Sequence, residues 1–213
     1  SCYQSRCTRN FIYNFTGGLS IMGTIFVDNL EPQSGTSLTL GASGDTLQAA
    51  SGVTNNLGIS MVDRFRLTTS FSGTATPIAS NLERADETGA GFVGTGMTES
   101  SGVFTFPSTG IYLILALFNL KLNGDIRDHN HQIQITTDNS SFNTATGGDS
   151  FIQQTSSGNT FTTSFLSYTF DVTNTSTHKV RFKVDSDANT SCEVRGSSTF
   201  DLTSFIFIRL GDT

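Results

Sequence analysis

From Asp63 onward, apolar and polar residues alternate with a period of two, and this pattern restricts the chain more than any other feature. Phe65, Leu67, Thr69 and Phe71 alternate with Arg64, Arg66, Thr68 and Ser70. Ile133 and Ile135 alternate with Gln132, Gln134 and Thr136. Leu166, Tyr168, Phe170 and Val172 alternate with Ser167, Thr169 and Asp171, and Val180, Phe182 and Val184 with Lys179, Arg181 and Lys183. Successive strand residues point to opposite faces, so each run offers one apolar face to a core. Polar stretches such as Thr137–Ser141 and Asp185–Asn189 supply turns. No stretch has the period of an amphipathic helix. Many short strands joined by polar turns predict an all-β antiparallel sandwich or barrel. The 18 Phe residues supply its core, and the 21 Gly residues suit its turns.

Two segments are apolar on both faces. In the run from Ile111 to Phe118, one face carries Ile111, Leu113, Leu115 and Leu117, and the other carries Tyr112, Ile114, Ala116 and Phe118. Phe205-Ile206-Phe207-Ile208 is likewise two-sided. The outer sheet of a lone sandwich needs only one buried face. A second apolar face implies a second covered surface, supplied by a subunit interface or by a loop of the same chain. The subunit interface is the expectation, with Ile111, Tyr112, Leu113, Ile114, Leu115, Leu117, Phe118, Phe205 and Phe207 as its residues.

The first 62 residues differ in character. No aromatic residue occurs from Val27 to Arg64, and Ser34–Leu47 mixes Gly, Ser and Thr with single aliphatics. Such a strip has too little apolar bulk for a core of its own. It either winds with identical neighbours or serves as a linker. Phe11, Ile12, Tyr13 and Phe15 form a small apolar cluster suited to docking on a partner chain. Met22 resembles a native start, with an extension before it, and no leader pattern is visible. The expected division is an attachment and shaft-like segment over 1–62 and a head over 63–213.

The head contains Gly102-Val103-Phe104-Thr105-Phe106-Pro107-Ser108-Thr109-Gly110-Ile111-Tyr112-Leu113-Ile114. This stretch resembles the central signature of the complement-C1q/tumour-necrosis-factor-like jelly roll, in which Gly-hydrophobic-Tyr opens the long central strand. Phe205–Leu210 resembles that family's closing strand. Met22–Leu30 and the strip after it resemble the N-terminal part of fibre-like structural proteins of marine bacteriophages. The resemblance implies a C1q/TNF-like jelly-roll sandwich behind an extended Gly/Ser/Thr-rich attachment segment. It implies a homotrimer and no enzyme. The N-terminal strip lacks a Gly-X-Y repeat, which sets the chain apart from the animal complement architecture.

The functional expectation is a virion structural protein: a trimeric fibre, spike, or capsid or tail appendage, exposed on the particle. Its N-terminal segment, through Phe11, Ile12, Tyr13 and Phe15, would hold other virion proteins, and its head would bind a host-surface glycan or protein. A secreted lectin or cytokine-like trimer and a polysaccharide-degrading spike enzyme are the alternatives. Net charge is −6 with a pI near 4.9, which disfavours nucleic acid as a partner. No segment has the length of an apolar helical span. No nucleophile elbow or phosphate loop is present, and no cofactor is implied.

Four local features invite chemistry. His129 and His131 share one side of a strand, so six imidazoles could surround a metal ion on a three-fold axis; the other reading is a pair of solvated loop histidines. Lys179, Arg181 and Lys183 share a strand face that could meet an acidic ligand or simply face water. Asp185-Ser186-Asp187 offers oxygen ligands but suits a turn equally well. Asn14, Asn139, Asn174 and Asn189 lie in Asn-x-Ser/Thr sequons, which bear on exposure only in a secreted eukaryotic protein. Of the three cysteines, Cys2 and Cys7 could pair, and Cys192 reads as a small buried residue.

Overall fold

The computed structural model describes residues 59–186 and 191–213. Phe11, Ile12, Tyr13, Phe15, Cys2, Cys7 and the N-terminal strip lie outside the described residues, as does Asp187. The described part belongs to a compact unit beginning at Ser51.

Twelve strands follow one another among the described residues: β1 (Met61–Leu67), β2 (Phe71–Ser72), β3 (Leu82–Arg84), β4 (Thr98–Ser100), β5 (Val103–Thr105), β6 (Gly110–Leu122), β7 (Ile126–Thr136), β8 (Asn143–Ile152), β9 (Thr160–Val172), β10 (Lys179–Asp185), β11 (Glu193–Val194) and β12 (Ser204–Gly211). They form two antiparallel sheets. The seven-stranded sheet runs β9, β6, β12, β1, β3, with β11 and β2 continuing from the far end of β6. The five-stranded sheet runs β4, β5, β10, β7, β8. The fold is a jelly-roll β-sandwich, as the alternation and the Gly102–Ile114 motif predict. Its first strand begins at Met61, two residues before the expected start of the head.

The long central strand shows why the motif takes its form. Gly110 has φ of 144°, and a side chain there would run into the Arg209 side chain and the Gly211 carbonyl. Tyr112 is buried, and its hydroxyl donates to the Ser108 carbonyl at 3.0 Å. A buried phenol needs such a partner, and the turn before β6 supplies it. Phe104 occupies the middle of the core. Its ring lies 5.1 Å from Phe65, 5.6 Å from Phe182 and 5.1 Å from Phe207. Phe182 from one sheet stacks on Phe205 from the other at 3.6 Å. These contacts tie the sheets together through interlocked rings. Cys192 is buried and unpaired, as expected.

Candidate functional site: two faces of a sandwich

The burial of β6 alternates without a break. Tyr112, Ile114, Ala116, Phe118, Leu120 and Leu122 point into the sandwich, while Ile111, Leu113, Leu115 and Leu117 point out and stay half-buried. Phe205 and Phe207 also point in, and Ile206 and Ile208 point out. This corrects five of the nine expected interface residues. Tyr112, Ile114, Phe118, Phe205 and Phe207 are all fully enclosed within one chain, so they offer no surface to a second. Ile111, Leu113, Leu115 and Leu117 do offer such a surface.

Strand pairing extends that outer row sideways. Val62 lies opposite Ile208, and Ile208 lies opposite Leu113. Ile206 lies opposite Leu115. Leu117 lies opposite Phe165, whose residue exposure is 60%. Further along β9, Phe161 is exposed, with the Arg195 guanidinium 4.8 Å from its ring centre. The outer face of the seven-stranded sheet is therefore an apolar field spanning four strands. Single exposed apolar residues are ordinary, whereas a contiguous field of this kind marks a contact surface.

One side of the field is bounded by charge. Arg66 points outward from β1 yet is fully covered by Glu83, Asp86 and Glu87, with Glu83 Oε1 at 2.7 Å from Nη2. Arg64 pairs with Glu87 and with Asp201, the latter at 3.1 Å. On the inward side, Asp63 is fully buried. It accepts from Arg84 Nε at 2.8 Å, Arg84 Nη2 at 3.0 Å and the Met97 amide at 2.7 Å. The hydrogen bonds to Asp63 hold the Arg84 guanidinium above its ordinary value, against the effect of burial. Asp63 shares the parity of Phe65 and Leu67, so its burial was readable from the alternation. Its partners on distant segments were not.

His129 and His131 do share one side of a strand, but that side faces the core. Both are fully buried. The His131 ring lies 5.0 Å from Phe118 and 4.9 Å from His129. The expected metal site on a three-fold axis is thereby corrected, because side chains enclosed within one sandwich cannot converge with copies from two others. No group of three or more His, Cys, Asp or Glu suited to a metal occurs among the described residues. The pair makes a hydrogen-bonded chain instead. His131 Nδ1 lies 3.2 Å from the Gly148 carbonyl, which only accepts, so Nδ1 carries the proton. His131 Nε2 then accepts from His129 Nδ1 at 3.1 Å. His129 Nε2 is left as a buried lone pair without a partner. Burial lowers both imidazoles, His131 to about 4.

Lys179, Arg181 and Lys183 line the outer face of β10 as expected, and each already has a protein partner. Lys179 Nζ donates to the Thr175 carbonyl at 2.7 Å. Arg181 Nε donates to Gln134 Oε1 at 2.8 Å, and its guanidinium sits 4.1 Å from the Phe142 ring centre. Lys183 pairs with Asp185 at 3.2 Å. A ligand there would have to displace these contacts, so the stripe is a structural face of the sheet rather than an open cationic one.

A feature that sequence reading missed lies at the start of β7. Ile126 pairs with Ile152 and His129 pairs with Ser150, so Arg127 and Asp128 together oppose the single residue Phe151. This is a β-bulge, which turns both residues outward. Arg127 and Phe151 line an open notch of about 380 Å³ with Asp125, Ile126, Ile152 and Gln153.

No protein-family model and no curated protein matches the chain. Solved structures do. Murine APRIL at pH 5.0 matches with a TM-score of 0.50 and 12% identity, over 70% of this chain and 98% of that one. The Eiger TNF from S. frugiperda matches with a TM-score of 0.52 and 14% identity, over 71% and 93%. The fold is the tumour-necrosis-factor-like jelly roll. That likeness rests on shape and topology. No helix among the described residues is long and apolar enough to cross a membrane.

Proposed function

We propose that the protein is a homotrimeric binding head without enzymatic activity, displayed outside a cell or particle, and that its trimer forms over the outer face of the seven-stranded sheet. The observation that carries this reading is the outward row Leu113, Leu115 and Leu117, flanked by Ile206, Ile208 and Phe165. A sandwich that satisfies its own core with Tyr112, Ile114 and Phe118 has no internal use for a second apolar row. A neighbouring copy removes that row from water and gains about 25 cal/mol per Å² of apolar area covered. Three copies also multiply weak contacts with a target through avidity.

As for where such a head works, we place it on a virion as a fibre, spike or appendage, with the chain that precedes β1 as the attachment segment. The resemblance of Met22–Leu30 and the following strip to phage fibre proteins supports this. The likeness to the Eiger TNF favours a second reading, a secreted cytokine-like ligand.

Light scattering on the purified chain tests the assembly. A mass near three times 22.8 kDa is expected, and Leu115→Asp is expected to give a folded monomer, because a buried unpaired carboxylate at the interface costs more than the contact returns. A wild-type monomer at micromolar concentration refutes the reading.

A further inference from the structure

We propose that the notch beside the β7 bulge binds an acidic sugar, with Arg127 taking its carboxylate and Phe151 its ring. The inference deepens the reading of the protein as a binding head and rests on it. Three observations carry the site. First, all other lysines and arginines among the described residues are engaged: Arg64 and Arg66 with carboxylates, Arg84 with Asp63, Lys121 with Glu193, and Arg195 with Asn119. Lys179, Arg181 and Lys183 are held as described above, and Arg209 donates to the Thr109 carbonyl. The Arg127 side chain alone makes no hydrogen bond, ion pair or ring contact with the described residues. As the single unspent guanidinium among the described residues, it is a specific attraction for an anion, because its planar fork matches a carboxylate.

Second, Phe151 has the highest exposure of the large apolar residues described, at 67%. An exposed ring held on a strand presents a rigid apolar face to the C–H face of a pyranose, while Gln153 in the same notch offers an amide to hydroxyls. Third, the bulge itself sets the geometry, since it sets two residues against Phe151 and turns Arg127 outward beside it. The notch belongs to the five-stranded sheet, whereas the face assigned to assembly belongs to the seven-stranded one.

The size and charge of the notch decide the ligand class. About 380 Å³ accommodates one or two sugar rings. One aromatic face and one cation lack the row of side-chain pockets that reads an extended peptide. Asp125, whose Oδ1 accepts the Gln154 amide at 2.6 Å, also lines the notch. Its charge, with that of Asp128, opposes polyanions such as polysulfated chains and leaves a single carboxylate on Arg127 as the fit.

Saturation-transfer NMR on the full chain tests this with 3′-sialyllactose and an unsulfated glucuronate disaccharide as probes. Lactose serves as the neutral control and a tri-glutamate peptide as the acidic peptide control. At least one acidic sugar is expected to bind where lactose does not. Arg127→Gln and Phe151→Ala are each expected to weaken that binding by roughly tenfold or more, with solution mass unchanged. Silence from both acidic sugars overturns the proposal. So does undiminished binding by the variants, or equal binding of tri-glutamate, which would mark an acidic-peptide site. Solution mass on the same samples separates the two claims: a trimer without sugar binding removes the site alone, and a monomer that binds removes the assembly alone.

Discussion

The buried His129–His131 pair gives the protein a calculable acid sensitivity. In the native chain His131 titrates near 4, against 6.5 for an ordinary imidazole. Its causes are burial first and the neighbouring His129 second. The Gly148 carbonyl and Asp149 on β8 pull the other way without prevailing. Asp128 on the same strand and Asp185 on β10 likewise favour a charged His129 but do not overcome its burial. Phe118, the ring facing the pair from β6, offers no charge. A depressed histidine means that the unfolded chain binds a proton the native chain refuses. Stability is therefore full above pH 6.5 and declines as pH falls through the interval from 6.5 to 4. For His131 the linkage amounts to about 2 kcal/mol by pH 5 and about 3 kcal/mol below pH 4. His129 adds loss in the same direction. Urea titrations at pH 7.5, 6.5, 5.5 and 5.0 measure this directly, above the range in which most carboxylates titrate. His131→Phe keeps a ring against Phe118 and cannot take a proton. It is expected to flatten the slope by roughly one proton over that interval, whatever it costs at pH 7.5. Equal stability of the wild-type chain at pH 7.5 and 5.0, or a variant with the wild-type slope, would refute the reasoning.

Other outcomes follow from the same packing. Asp63→Ala leaves the Met97 amide and Arg84 without their carboxylate and is expected to cost about 3 kcal/mol in urea unfolding, with Asp63→Asn milder. Phe104→Ala, at the centre of the ring cluster, should cost about 3–5 kcal/mol and lower the unfolding temperature accordingly. Burial, with Glu193 adding to it, pushes the Cys192 thiol up to about 11. Alkylation at pH 8 followed by peptide mapping should leave Cys192 unmodified in the native protein and modified in urea.

Much of the sandwich was legible because alternation reports the inside of a strand directly. The row from Phe65 to Leu67, the long β6 and the closing β12 all follow it. The same parity that places Ile133 and Ile135 inward also places His131 and His129 inward. Both sequence readings of the pair, an axial metal site and a solvated loop, lie outside the core, whereas the hydrogen bonds to Gly148 and between the two rings accompany their burial. The strand β8 escaped detection because Asn143–Ile152 is mostly polar on both faces; it is held by its ladder with β7 rather than by apolar side chains. The outward apolar row was half legible for a related reason. A two-sided strand announces a second covered face, but only the partner sheet shows which face is already spent. The notch at Arg127 had no linear signature, since a bulge is a mismatch between two strands and neither sequence carries it alone.

The position of β12 between β1 and β6 has a consequence for how the protein is made. The first and the last strands described lie side by side, so the seven-stranded sheet stays split until β12 has been made. A nascent chain holds Phe104 and Phe182 without the Phe205 and Phe207 rings that cover them. Contacts so distant along the chain are slow to form, and an unfinished sheet presents open edges to its neighbours. Sandwich closure and the completion of the outward row at Ile206 and Ile208 are thus the same event. A chain that stops short of β12 therefore leaves both its core and that outward row incomplete.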